Sequence, residues 1–200
     1  MLKLLGALIL LITGASSLPL SSIIPKNSLS HFCIVTSWEG YNATLALHAA
    51  FLGEAAPPPG VAGGPDSNGT YVIDGAPHRL AGTTKIAFLT LNNHTRMEYL
   101  AGDPAQPSWW RDVFLKKGIE VHHMGYDLPA GVAVWPVVES FVAAGLGPAV
   151  QWGRWGALNK PGSGCYVYLD SQATLGVTVE ILGASSGECD GLPAQPPTAA

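Results

Sequence analysis

The sequence predicts an α+β fold with a mostly antiparallel sheet, built as two copies of one module. Three observations predict it. Strand-like runs dominate and helical runs are few. Each half reads as a strand, a helix and then about three strands. The halves also match chemically: each opens on a strand with His and closes on a strand with Glu. His31-Phe32-Cys33-Ile34 and Met97-Glu98-Tyr99-Leu100 frame the first half, with His31 and Glu98 67 residues apart. His123-Met124-Gly125-Tyr126 and Val179-Glu180-Ile181-Leu182 frame the second, with His123 and Glu180 57 residues apart.

The elements follow in order. Residues 1–17 read as a secretory signal: Lys3, the apolar run Leu4 to Ile12, then Gly14, Ala15, Ser16 and Ser17. The run is shorter than the roughly 20 residues of a membrane-spanning helix, so no span is expected after cleavage. Residues 18–29 are a lead-in. The first module covers 30–101. Ser30 to Thr36 is a strand on the β-propensity of Phe32, Ile34 and Val35. Thr44 to Leu52 is a helix stopped by Gly53, with Leu45, His48 and Leu52 on one face. Residues 55–69 are a loop, marked by Pro57-Pro58-Pro59-Gly60 and Gly63-Gly64-Pro65, and the stretch from Pro57 to Pro65 reads as a lid or entrance. Thr70 to Ile73, Thr84 to Leu91 and Arg96 to Leu100 are strands.

Residues 102–118 form a linker and a helix, Trp109 to Lys117, stopped by Gly118. The second module covers 119–184. Ile119 to Tyr126 is its first strand, and Pro136 to Ala144 its helix, with Pro136 in the first turn. Val150 to Trp155, Cys165 to Asp170 and Val177 to Leu182 are strands. Residues 185–200 read as a flexible Pro/Ala tail.

Composition narrows the function. Charged residues are 12% of the chain, hydrophobic ones 48%, and the net charge is −4 with no basic stripe. Nucleic acid and acidic membrane surfaces are therefore poor partners. Asn42, Asn68 and Asn93 begin N-glycosylation sequons, which fit an exported glycoprotein. Secretion or a secretory-pathway lumen is the expected location. Three cysteines are too few for a disulfide scaffold. Cys165 and Cys189 are the candidate pair in an oxidising compartment. Cys33 shares a strand face with His31 and reads as a buried apolar residue.

Two imidazoles and two carboxylates converging on one point suit Zn, Ni, Co, Mn or Fe(II). Singly, each has a plainer role: a strand His is often a hydrogen-bonded core residue, and a Glu between apolar neighbours faces solvent. Their matched placement favours a metal site of His31, Glu98, His123 and Glu180. With His31, His123 and Glu180 alone, the set is two His and one carboxylate, the Fe(II) dioxygenase pattern. His122 is the rival of His123, and strand alternation lets only one of the two enter the cleft.

On these four segments the chain resembles the vicinal-oxygen-chelate superfamily, the glyoxalase, bleomycin-resistance and dioxygenase group, and within it secreted fungal-type members. The resemblance spans roughly residues 30–182. It implies tandem βαβββ modules whose curved sheets enclose a cleft, ligands on the first and last strand of each module, and His123 rather than His122 as ligand. Glyoxalase I and methylmalonyl-CoA epimerase act on intracellular thiol carriers, which does not suit an exported chain.

The expected activity is metal-dependent lyase, isomerase or dioxygenase chemistry on a small oxygenated, specialised metabolite, with Glu180 or Glu98 as base. The alternatives are a metal-free natural-product cyclase and a non-enzymatic binder of the resistance type. Arg154 is the candidate for an anionic substrate group, with Gln151, Trp155, Tyr126 and Tyr168 as further cleft residues. The Trp109-Trp110-Arg111-Asp112 run docks a helix on the sheet. The partner is a small-molecule substrate, with a homodimer as an option. No nucleotide-binding glycine loop and no hydrolase elbow occurs.

Overall fold

The computed structural model describes residue 24 and residues 28–63, 68–156, 160–184 and 187–194. The expected signal, most of the lead-in, the end of the tail and the Asn68 side chain lie outside the described residues. Among the described residues no helix is long and apolar enough to cross a membrane.

The first half supplies β1 (Leu29–Val35), β2 (Gly60–Gly63), β3 (Asn68–Ile73), β4 (Ala76–Arg79), β5 (Thr83–Thr90) and β6 (Arg96–Gly102). The second supplies β7 (Glu120–Asp127), β8 (Ala149–Trp155), β9 (Gly164–Leu169) and β10 (Thr178–Gly183). Together they form one ten-stranded sheet in the order β2-β5-β6-β1-β7-β10-β9-β8-β3-β4. In each half the first strand pairs in parallel with the last, β1 with β6 and β7 with β10. The halves join where β1 and β7 run antiparallel. The eight central strands thus repeat one βαβββ pattern about the β1–β7 seam, as the resemblance implies. The sheet also curls. β2 and β3 lie at or near opposite ends of the strand order, yet Gly63 and Asn68 are five residues apart in the chain. Five extended residues span about 18 Å at most, so the two edges approach each other.

Helices α1 (Tyr41–Leu52) and α3 (Val134–Ala143) cover one face of the sheet, one per module. Tyr41, Leu45 and Ala49 of α1 recur every fourth residue and pack on Ala87, Leu89 and Tyr99. Val134, Val137, Val138 and Phe141 of α3 pack on Val167, Leu169 and Ile181. The opposite, concave face receives α2 (Trp109–Lys117), whose Trp110 joins Cys33, Val35, Leu100 and Tyr168. Ser108 caps α2, its side chain accepting the Arg111 N–H at 3.2 Å. A short α4 (Gln172–Leu175) precedes β10.

Three expectations are corrected. The Pro/Gly segment is not all loop, because β2 pairs with β5 along its length. Its Gly and Ala residues have little strand propensity, so the pairing comes from the exposed edge of β5. The run 70–73 does not join its own module. It forms a hairpin with β4, across an Asp74-Gly75 turn with φ of 50° and 80°, and adds to β8 of the other module. The positive φ at both turn residues matches the twist of a two-residue hairpin. The tail is docked over residues 187–192. Cys189 is disulfide-bonded to Cys165, and Glu188 accepts the backbone N–H groups of Gly131 and Ala184. The backbone N–H of Val134, at the start of α3, donates to the Glu188 carbonyl at 2.8 Å.

Candidate metal centre

Four central strands set the candidate ligands side by side. Register aligns Glu98, Cys33 and His123 in one row across β6, β1 and β7. It aligns Arg96, His31, Gly125 and Glu180 in the next row, across β6, β1, β7 and β10. Residues two apart on a strand share a face, so both rows project from the concave side. All four candidates are buried, His123 completely and the others at 4–6% exposure.

Their donor atoms converge. The Nε2 atoms of His31 and His123 are 3.1 Å apart. Glu98 Oε2 lies 3.4 Å from His31 Nε2 and 3.0 Å from His123 Nε2. Glu180 Oε2 lies 2.9 Å and 3.3 Å from the same two atoms. Metal–ligand bonds of ~2.1 Å hold neighbouring donors ~3.0 Å apart in an octahedron and ~3.4 Å apart in a tetrahedron. The observed separations fall in that range. Oε2 of Glu98 and of Glu180 are buried and face the two imidazoles, so once those imidazoles are neutral a cation must take up the carboxylate charge. Two neutral imidazoles and two carboxylates carry two negative charges, which a dication neutralises. The donor set therefore fits a divalent metal.

Gly125 makes room for His31. A Cβ there would stand 2.3 Å from His31 Cε1 and 2.7 Å from each ring nitrogen. Each ligand His also follows a bulge. The β1–β7 register shifts at Ser30 and again at His122, leaving one extra residue before His31 and before His123. The bulge corrects the expectation that His122 and His123 face opposite sides. Their Nδ1 atoms are 2.8 Å apart, and His122 is fully buried. If His123 Nε2 faces a cation, its Nδ1 carries the proton and donates to His122 Nδ1. Such backing fixes the tautomer of a ligating His.

The electrostatics follow from burial and pairing. Burial alone would lower the His31 pKa, but the Glu180 and Glu98 carboxylates outweigh it and raise it to about 10. His123 moves up on the same balance. Burial alone would raise Glu98 and Glu180, and the two imidazoles reverse this, so both stay ionised. Burial, with the charge of His123, lowers His122 and keeps it neutral.

Of the other candidates, Tyr168 lies at the centre, paired with Glu180 and with its ring centroid 4.9 Å from that of His123. Phe88 holds the matching position beside Glu98. Gln151 is buried on the concave side but anchors α2, its Oε1 accepting the Trp109 N–H at 2.8 Å. Trp155, 38% exposed, ends β8 at the rim. Two candidates are corrected. Tyr126 alternates to the helix-covered face and packs on the α3 core. Arg154 pairs with Cys165 on that same face and donates to the Cys189 carbonyl at 2.7 Å. Sequence reasoning missed the roles of Gly125 and His122, and of Thr178, whose hydroxyl accepts the Trp109 indole N–H at 3.0 Å. Asn42 and Asn93 are exposed, on α1 and in the β5–β6 turn.

No family model matches the chain, and no curated protein matches it. Solved structures resemble it at low identity. A mutant 4-hydroxymandelate synthase from Streptomyces coelicolor is 10% identical over 78% of this chain, with a TM-score of 0.48. The chain spans 47% of the length of that synthase. Methylmalonyl-CoA epimerase from Mycobacterium tuberculosis is 10% identical, with a TM-score of 0.46, over 87% of this chain and 94% of the epimerase. The Streptomyces coelicolor epimerase, solved with 2-nitronate-propionyl-CoA, is 14% identical, with a TM-score of 0.43, over 84% of this chain and 97% of its own.

Proposed function

We propose that the chain is a metal-dependent enzyme of lyase, isomerase or dioxygenase type, acting on a small oxygenated metabolite. The observation that carries this reading is the convergence of His31, Glu98, His123 and Glu180 donor atoms at 2.9–3.4 Å. A bound divalent cation supplies a Lewis acid that polarises a carbonyl or enolate oxygen and acidifies the neighbouring C–H. His31 and His123 would hold such a cation, one from each side of the module seam. Glu180 or Glu98 receives the proton, its carboxylate already ionised by the imidazoles beside it. Tyr168 and Phe88 flank the two carboxylates with ring surface suited to an apolar or aromatic substrate.

Export belongs to the same proposal. The Lys3 to Ser17 pattern, the sequons at Asn42, Asn68 and Asn93, and the Cys165–Cys189 disulfide support a secretory route.

A metal-free acid–base cyclase is the second reading. It draws on the 2.9 Å pair of His31 with Glu180 and the 3.0 Å pair of His123 with Glu98, which neutralise each other without a cation. Glu180→Gln tests the enzyme reading on a panel of carbonyl and catechol substrates. Turnover lost with ligand binding retained is expected. A wild-type protein that binds panel members and turns none over would make the chain a binder.

A further inference from the structure

The two modules differ at the centre in the residue that faces each first-strand His. His31 lies against Gly125, which offers no side chain. His123 stands in the same relation to Cys33, its register partner on β1. Cys33 is fully buried and unbridged. One donor atom each of Cys33, Glu98 and His123 lies within 4.8 Å of the others. Glu98 lies in the same row, its Oε2 buried and 3.0 Å from His123 Nε2. The centre therefore contains two overlapping triads. His31, His123 and Glu180 offer two nitrogens and an oxygen, whereas Cys33, Glu98 and His123 offer sulfur, oxygen and nitrogen.

We propose that Cys33, Glu98 and His123 form a second metal triad, which takes Zn(II) or Co(II) with Cys33 as a thiolate. The inference rests on reading the centre as a metal site, and it divides the donors by softness. On binding, the Cys33 S–H bond breaks, a metal–sulfur bond forms and the proton leaves to solvent. Thiolate, carboxylate and dication then sum to zero charge, with His123 neutral. His31 and Glu180, 2.9 Å apart, remain as an ion pair when His31 is protonated. Neither half leaves an uncompensated charge in the buried centre. Harder cations such as Mn(II) are served by His31, His123 and Glu180 without the thiol.

Cobalt(II) titration of the full chain tests this, under anaerobic and non-reducing conditions that leave the Cys165–Cys189 bridge intact. A near-ultraviolet thiolate-to-cobalt charge-transfer band is expected, saturating together with the visible ligand-field bands at one equivalent. Cys33→Ser removes that band and weakens Co(II) and Zn(II) by about tenfold or more, with Mn(II) affinity unchanged. Wild-type protein that shows ligand-field bands without the charge-transfer band overturns the Cys33 triad and leaves the metal reading standing. No cobalt uptake removes both. The wild-type spectrum decides the matter even where the variant fails to fold.

Discussion

The imidazole of His31 lies directly on the bare backbone of Gly125, its partner across the module seam. A Cβ at residue 125 would stand 2.3 Å from Cε1 of that ring. Gly125→Ala therefore pushes His31 out of the centre. The overpacking costs about 1–3 kcal/mol of stability, and the sheet keeps its pairing. Circular dichroism is expected to show a folded protein, and titration with Mn(II) a loss of affinity. Unchanged Mn(II) affinity in the folded variant would show that His31 is not a ligand.

His122 backs His123 through an Nδ1–Nδ1 contact of 2.8 Å. His122→Ala removes the acceptor that fixes the His123 tautomer. Metal affinity, measured by chelator competition, is expected to fall about 10–100-fold. His122→Asn keeps an acceptor oxygen and is expected to recover part of the loss. Equal affinities in the two variants would reduce His122 to packing.

The pairing of His31 with Glu180 and Glu98 sets the pH dependence. Folding raises His31 from 6.5 to about 10, so its stabilising effect is full below pH 6.5 and is lost as pH rises through about 10. Glu98 and Glu180 are lowered from 4.5, so their effect is present above pH 4.5 and is lost as pH falls through the depressed values. Metal-free protein is expected to be most stable between about pH 4.5 and 6.5, as read by urea unfolding in chelator. A cation must displace imidazole protons, so its affinity rises with pH over the same interval in which the metal-free protein weakens. Addition at neutral pH is expected to release protons into weak buffer. Uptake without proton release would contradict the charge state assigned to the two imidazoles.

The Cys165–Cys189 bridge closes a separation of 24 residues. It holds residues 187–192 against the start of α3, on the face away from the centre. Removing it through Cys165→Ala with Cys189→Ala is expected to cost about 3 kcal/mol. Metal stoichiometry is expected to stay the same. Loss of metal in a double variant that remains folded would place the bridge in the centre's support.

The strands that carry the centre were legible because each sets a His or Glu among apolar residues of strand propensity, in the same order in both halves. That holds for His31 on β1, Glu98 on β6, His123 on β7 and Glu180 on β10. The first-strand bulges were not legible, because an extra residue such as His122 leaves no mark on local propensity. Strand β2 was hidden for a related reason. Gly60-Val61-Ala62-Gly63 becomes a strand only through its partner on β5. The β3–β4 hairpin carried a readable signal in Asp74-Gly75, but its pairing with β8 is a contact between modules that local pattern cannot reveal. Arg154 and Tyr126 show the converse. Their residue types suit a cleft, and strand alternation turns them to the other face.

Elemental analysis of the purified wild-type chain, beside His31→Ala and His123→Ala, tests the central claim most directly. About one equivalent of a divalent transition metal in the wild type is the expected result, lost from folded His123→Ala whatever the metal and from folded His31→Ala where the metal is not Zn(II) or Co(II). Wild-type protein that holds no metal after incubation with Zn, Ni, Co, Mn and anaerobic Fe(II) would contradict the metal centre and leave the paired His and Glu residues as acid and base.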